Sequence, residues 1–306
     1  MALTYGEISA ITEKYFLPKL IDQVFASNIL FDRMRKGKMM SKIDGGTSIM
    51  QPVMYATTSA VGAFSGTDTL STTSNDQITA AEWTLKQYYA NITITRSDEL
   101  KNNGDRAVVN FTKCKVQVAE KTLSDTLGTA IYNLGTTANE LVGLRLAVDS
   151  AGTYGGISRT DYSWWAAQED STSTVLSIAN MEAMFGDCTV GNDKPTLIIT
   201  TQDGFDDFHA LLSPQERYMD SDTANAGFTN LTFRGVPVVV DNKCPSSHMF
   251  FLNENYIKLL VHSKEDFRFE PFQKPIDQAV ACAKIFWAGA LTLSNPRMQG
   301  KMAAIA

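Results

Sequence analysis

"GAFSGTDTLSTTSNDQ", residues 62–77, holds no Lys or Arg, one aromatic, and a density of Gly, Ser, Thr, Asn and Asp that resists packing into a core. Both of its flanks read as strands. Residues 47–57 run TSIMQPVMYAT, and residues 78–95 run ITAAEWTLKQYYANITIT, where Trp83 and Leu85, then Tyr88, Ala90, Ile92 and Ile94, fall at period two. Pro52 has no N–H to give a ladder, so the first strand belongs at an edge. The simplest picture is a two-stranded arm with a polar tip. Such a ribbon is marginal alone in water, because ordering its backbone costs about 1–2 kcal/mol per residue and it buries little apolar surface. It must fold back onto its own domain or lie on a neighbouring copy.

The chain around this arm is ordinary globular material. Its 306 residues are 44% apolar and 20% charged, enough for one large domain or two modest ones. A net charge of -6 argues against a protein that coats nucleic acid, which needs many Lys and Arg contacts. A local basic run, RMRKGKMMSK at 33–42, reads first as a solvated turn or a salt-bridge partner. No secretory leader and no bilayer-length apolar stretch is visible, which predicts a soluble protein made in a cytoplasm. Cys114, Cys188, Cys244 and Cys282 are scattered without a CxxC and read as small buried apolar residues.

Ahead of the arm, apolar positions from Pro18 onward fit a short helix. Behind it, Val116, Ala119, Leu123, Leu127, Ala130, Ile131 and Leu134 recur at three- and four-residue steps and predict a long helix over about 105–134. Gly128 predicts a bend and Gly135 a C-terminal cap. The glycines of 143–165 match no phosphate-loop signature and predict tight turns. A helix over 175–188, a buried strand over 194–201 and a helix capped by Thr201 or Asp203 follow, and short strands then alternate with turns. Helices around a limited sheet make an α+β chain.

Reactive chemistry is sparse. His209, His248 and His262 form no metal spacing, and no GxSxG elbow accompanies Ser246 and Ser247. Asp206 with Asp207 and Glu265 with Asp266 read as solvated faces or caps, and three Asn-X-Thr sequons mean little without a leader. The residues call for no enzyme, cofactor or metal.

The order of parts carries more. An N-terminal arm, an extended polar-tipped hairpin, a long helix, a mixed α/β segment and returning long strands resemble the major capsid proteins of tailed bacteriophages, the Hong Kong 97-like fold. The strings GLRLAVDSAGTYGGISRTDYSWW and QERYMDSDTANAGFTNLTFRGVPVVVDNKCPSSHMFFLN strengthen the resemblance, which covers essentially the whole chain. It implies an N-terminal arm over 1–45, an extended loop over 46–95, a peripheral domain over 96–145 and 251–290 with its spine helix, and an axial domain over 146–250 and 291–306. It also implies a virion shell that self-assembles through pentamers and hexamers around double-stranded DNA in the bacterial host cytoplasm, with no membrane and no sequence-specific DNA contact. A separate scaffolding protein, a portal and a decoration protein are the implied partners. Arg35 and Lys36 would face Asp68 and Asp76 of an overlying loop. Phe64 would rest on a neighbour, and Phe272, Lys274 and Asp277 would meet symmetry mates.

Two departures from the family pattern matter. The tip has no Lys for an isopeptide weld and Lys86 sits on the returning strand, so no crosslink is expected. Met1 stands almost directly on the arm, so no fused scaffold domain is expected. Two rival readings stay open: another phage structural or adhesin protein (decoration or tail), and an α/β hydrolase or transferase using His209.

Overall fold

Residues 28–37, 39–101, 111–172, 175–212, 231–276 and 278–305 are described by the computed structural model. The chain divides into two units: a smaller one that includes Tyr89–Leu123 and Phe269–Ile285, and a larger one of Ala26–Tyr88, Ser124–Arg268 and Phe286–Ala306. The helix expected after Pro18 lies outside the described residues, as do Lys38, the first residues expected of the long helix and the chain beyond Leu212 to Asn230.

In the larger unit, α1 (Ile29–Lys36) begins where Asn28 O accepts from Asp32 N–H (2.9 Å) and the Asp241 carboxylate accepts from Leu30 N–H (3.1 Å). Leu30, Phe31 and Met34 turn inward, while Arg33, Arg35 and Lys36 suit the negative end of the helix dipole. Strand β1 (Met40–Ile43) runs parallel to β12 (Ile257–His262), which pairs antiparallel with the second half of β14 (Val280–Leu293).

The core of this unit is a six-stranded sheet in the order β7-β15-β11-β8-β10-β9. Its strands are β7 (Gln168–Asp170), β8 (Leu197–Thr200), β9 (Thr232–Phe233), β10 (Val236–Val240), β11 (His248–Leu252) and β15 (Gly300–Ala303). Strands β8 and β10 are parallel, and β11 runs antiparallel to β8 and β15. One face carries Met181, Met184 and Phe185 of one helix (Ile178–Asp187) and Phe208 of another (Gln202–Leu212) against Ile198, Val238, Phe251 and Met302. On the other, Tyr132 packs on Phe250 with ring centroids 5.9 Å apart. A strand covered on both faces reads as an unbroken apolar run, and β8 is buried at all four positions, as expected. Ser177 Oγ caps the first of these helices by accepting from Asn180 N–H, and Thr201 Oγ1 caps the second by accepting from Gly204 N–H (3.3 Å).

The long helix runs over Phe111–Ile131 among the described residues, and Gly135 follows it at φ +63°. It remains helical through Gly128. The glycine answers a close approach: a Cβ there would sit inside the amide of Asn28, whose Nδ2 donates to Ser124 O (3.0 Å).

The smaller unit holds most of β4 (Lys86–Thr95), a short helix (Arg96–Lys101), the first part of the long helix, all but the first residue of β13 (Arg268–Gln273) and the start of β14. Strands β4 and β13 both pair with β14, and Arg96 N–H donates to Ala279 O (3.1 Å). Residues 78–95 are therefore two strands, β3 (Ile78–Trp83) and β4, in different sheets rather than one. The alternation changes phase between Leu85 and Tyr88, so a strand crossing that point would turn its apolar side chains from one face to the other.

Candidate functional site

Strands β2 (Ile49–Met54) and β3 form an antiparallel ribbon of their own, with Met50 opposite Glu82, Pro52 opposite Ala80 and Met54 opposite Ile78. Side chains alternate between faces. The inner face carries Ala81 and Trp83, both buried, with Trp83 edge-on to Tyr154 at 5.9 Å. The outer face carries Met50, Met54 and Ile78, which are 65%, 76% and 68% exposed. One face of the ribbon is occupied at its root, and the other is bare and apolar except for Glu82 opposite Met50.

The root has a specific seat. Gly155 and Gly156, at φ +58° and +77°, make the tight turn between β5 (Thr153–Tyr154) and β6 (Ile157–Ser158), which is the turn expected of this glycine-rich passage. Glu82 N–H donates to Gly155 O (2.9 Å), and the Gly155 Cα approaches so closely that an added Cβ would lie 3.2 Å from Ala81 and 3.3 Å from Trp83. A cavity of about 170 Å³ beside the seat is lined by Trp83, Leu141, Val142, Leu146, Tyr154 and Leu291, among others. Further out, Tyr55 stacks on Trp164 at 5.2 Å and 14°.

Beyond Tyr55 the loop has no apolar interior. Val61, Phe64 and Leu70 are 78%, 68% and 59% exposed. Polar side chains hold the chain instead. Asp68 Oδ2 accepts from Ser65 N–H (2.7 Å) while Asp68 N–H donates to Ser65 O (2.8 Å), and Asn75 Nδ2 donates to Thr57 O (3.1 Å). Asp76 is exposed. No Lys or Arg lies between Lys42 and Lys86, so the whole arm is anionic and apolar.

The basic run is mostly engaged within the chain. Arg33 makes a two-pronged ion pair with Glu254 (2.6 and 3.1 Å), Lys42 reaches Asp266 (3.5 Å), and the Arg35 guanidinium lies over Phe31 and Phe267. Arg35 and Lys36 themselves are exposed on α1. In the smaller unit, Phe272 meets Phe269 edge-on at 6.1 Å, Lys274 is exposed and Ile276 fully so; Asp277 lies outside the described residues.

The remaining reactive groups have structural settings. The Cys188 and Cys244 thiols are pushed up by burial first and by Asp187 and Asp241 second, Cys188 to about 12. Desolvation lowers the His248 imidazole pKa, while its Nδ1 lies 2.8 Å from Ser246 O. His209 is exposed on its helix. Asp206 accepts from Gln202 (2.7 Å), and Glu265 pairs with Arg268 (2.7 Å). Among the described residues, no group of three or more His, Cys, Asp or Glu could hold a metal ion, and no helix is long and apolar enough to cross a membrane.

Sequence reasoning found the arm but missed its bare face and its seat. The first was legible as apolar residues at 50, 52 and 54 facing 78 and 80 once the register is known. The second required knowing which turn Trp83 reaches.

No family model matches the sequence, and no curated protein does. Solved structures do match, from end to end. The chain is similar to one from a cyanophage A-1(L) capsid asymmetric unit (TM-score 0.74, 17% identity, 99% of each chain covered). It is similar to a capsid chain of a native GTA particle (0.70, 11%, 100% of each). It is also similar to a chain of the holo-SrpI encapsulin complex from Synechococcus elongatus PCC 7942 (0.64, 8%, covering 100% of this chain and 96% of that one). At these identities the likeness is one of fold. The chain has the α+β Hong Kong 97-like fold that its sequence resembles.

Proposed function

We propose that this chain is a structural shell subunit, the major capsid protein of a tailed bacteriophage, which self-assembles through pentamers and hexamers into the icosahedral container of a double-stranded DNA genome. The observation that carries this is the arm's outer face. Met50, Met54 and Ile78, with Val61, Phe64 and Leu70 beyond them, stand in solvent on a ribbon that buries little of its own surface. Specific interfaces bury about 1,200–2,000 Å² each, and in a closed lattice every subunit repeats them.

In this reading, residues 46–95 are the loop laid on an adjacent subunit, 96–145 and 251–290 the peripheral domain, and 146–250 with 291–306 the axial domain. Phe64 rests on the neighbour. Asp68 and Asp76 face the basic run, where Arg35 and Lys36 remain exposed while Arg33 and Lys42 already have partners in the chain. Phe272, Lys274 and Asp277 meet symmetry mates. A scaffolding protein, a portal and a decoration protein are its assembly partners, and the subunit is made in the host cytoplasm. No isopeptide weld forms: the tip has no Lys, and Lys86 Nζ donates to Ala138 O of its own chain (2.6 Å).

Electron microscopy of the purified full-length protein, preceded by sedimentation velocity, tests the reading. Closed shells, or rings of five and six, are expected. Absence of the chain from the shell of particles purified from its source would overturn it. Boiling such particles in denaturant should release single chains; a covalent ladder would refute the uncrosslinked reading.

A further inference from the structure

The two contacts that seat the ribbon, one at its root and one at its far end, differ in kind. Trp83 is 6% exposed, edge-on to Tyr154, beside the Gly155 carbonyl that holds Glu82 N–H. Tyr154 in turn stacks on Trp165 (6.3 Å), and the Arg159 guanidinium lies over it while donating to the carbonyls of Leu146, Ala147 and Ala151. This seat is buried and held mainly by ring packing, the Glu82–Gly155 bond and the Arg159 donors, for Trp83 Nε1 and Arg159 Nε have no hydrogen-bond partner among the described residues. Tyr55 and Trp164 are only half-buried, and their stack is flanked by Tyr162, which is 50% exposed. Tyr55 follows the last paired residue of β2, and its N–H donates to Gln77 O, so the ribbon ends where the stack is made.

We propose that the arm is a hinged strap: the Trp83–Gly155 seat is the pivot, and the Tyr55–Trp164 stack is a releasable clasp that holds the strap docked. Opening the clasp exposes two half-wet rings and breaks no buried hydrogen bond. Unseating the pivot would leave the Gly155 carbonyl and a buried indole without their contacts. The strap therefore has a docked and a lifted state joined through the pivot, and Trp164 is the positioning residue that sets their ratio. This rests on contacts within one unit of one chain and holds whether or not the chain builds a shell.

Hydrogen exchange on the unassembled full-length chain, read by mass spectrometry, separates the two contacts. Glu82 N–H reports the pivot. Trp165 and Ala166 N–H, bonded to Tyr162 O and Ser163 O in the turn that carries Trp164, report the clasp. An aromatic pair of this kind shifts an equilibrium about 2- to 10-fold. Tyr55→Ala should speed exchange at residues 165 and 166 by that factor and leave Glu82 unchanged, and Tyr55→Phe should restore the slow rate. Gly155→Ala should do the reverse, speeding Glu82 first. Glu82 rising together with 165 and 166 in Tyr55→Ala would show that the arm detaches as one piece, and no change at 165 and 166 would show that the stack holds nothing. Either result overturns the hinge.

Discussion

Strands β11 and β2 are five and six residues long, each carries four large apolar side chains, and both belong to the larger unit. In β11, Met249, Phe250, Phe251 and Leu252 have no exposed surface; in β2, Met50 and Met54 are mostly exposed. Position in the sheet makes the difference. Strand β11 lies between β8 and β15 with side chains packed on both faces, whereas β2 has one neighbour, β3, and one occupied face. Apolar content alone does not stabilise a strand; what covers it does. The central sheet is covered by its own chain. The arm is covered at its root, and its outer face is left bare by its own chain.

Unfolding measurements can break that comparison. Truncating Phe251 to Ala should cost about 3–5 kcal/mol in denaturant titration of the unassembled chain, the range for a large side chain removed from a tight core. A loss below 1 kcal/mol would mean that the sheet is loosely packed. Gly128→Ala should come next, at about 1–3 kcal/mol, because overpacking against Asn28 outweighs the better helix propensity of Ala. Adding Asn28→Ala should recover part of that loss, and failure to do so would place the strain elsewhere.

A smaller effect should be present at neutral pH and fade in acid. Burial works to raise the Glu169 carboxyl, but hydrogen bonds from Ser150 and the charge of Lys301 outweigh it and hold the group below its ordinary value. Its folded pKa lies under its unfolded one, so its contribution is present at neutral pH and is lost as pH falls through the folded pKa. Glu169→Gln should flatten the acid limb of the stability curve, and an unchanged limb would remove Glu169 from the account. Smallest of all should be Met54→Ser with Ile78→Ser, within about 0.5 kcal/mol for the free chain. The same pair should cut shell yield at least tenfold by sedimentation. A change in stability without a change in assembly would reverse the comparison.

Much of this was legible in the sequence because it depends on local chemistry. Thr201 at its cap, the apolar run at 197–200 and the glycine turns at 152–156 follow from backbone rules that a few residues satisfy. The edge placement of Pro52 follows in the same way. What stayed hidden depends on residues far apart. Gly128 reads as a helix weakness until Asn28, a hundred positions earlier, is laid across it. Period two continues on either side of residues 84–85, so one strand and two give nearly the same pattern; only the change of phase separates them. The bare face of the arm needs the register of two strands separated by a 23-residue loop.

The charge pattern of the arm has a consequence for proteolysis. Trypsin cuts after Lys and Arg, and between Lys42 and Lys86 it finds neither. The most exposed segment described is thus silent to the commonest probe of exposure, and leaves a digest as one long peptide. A protease that cuts after aromatic residues meets the opposite situation, with Phe64 standing free at the tip. The ratio of the two digestion rates is a label-free gauge of whether a neighbour has covered the arm.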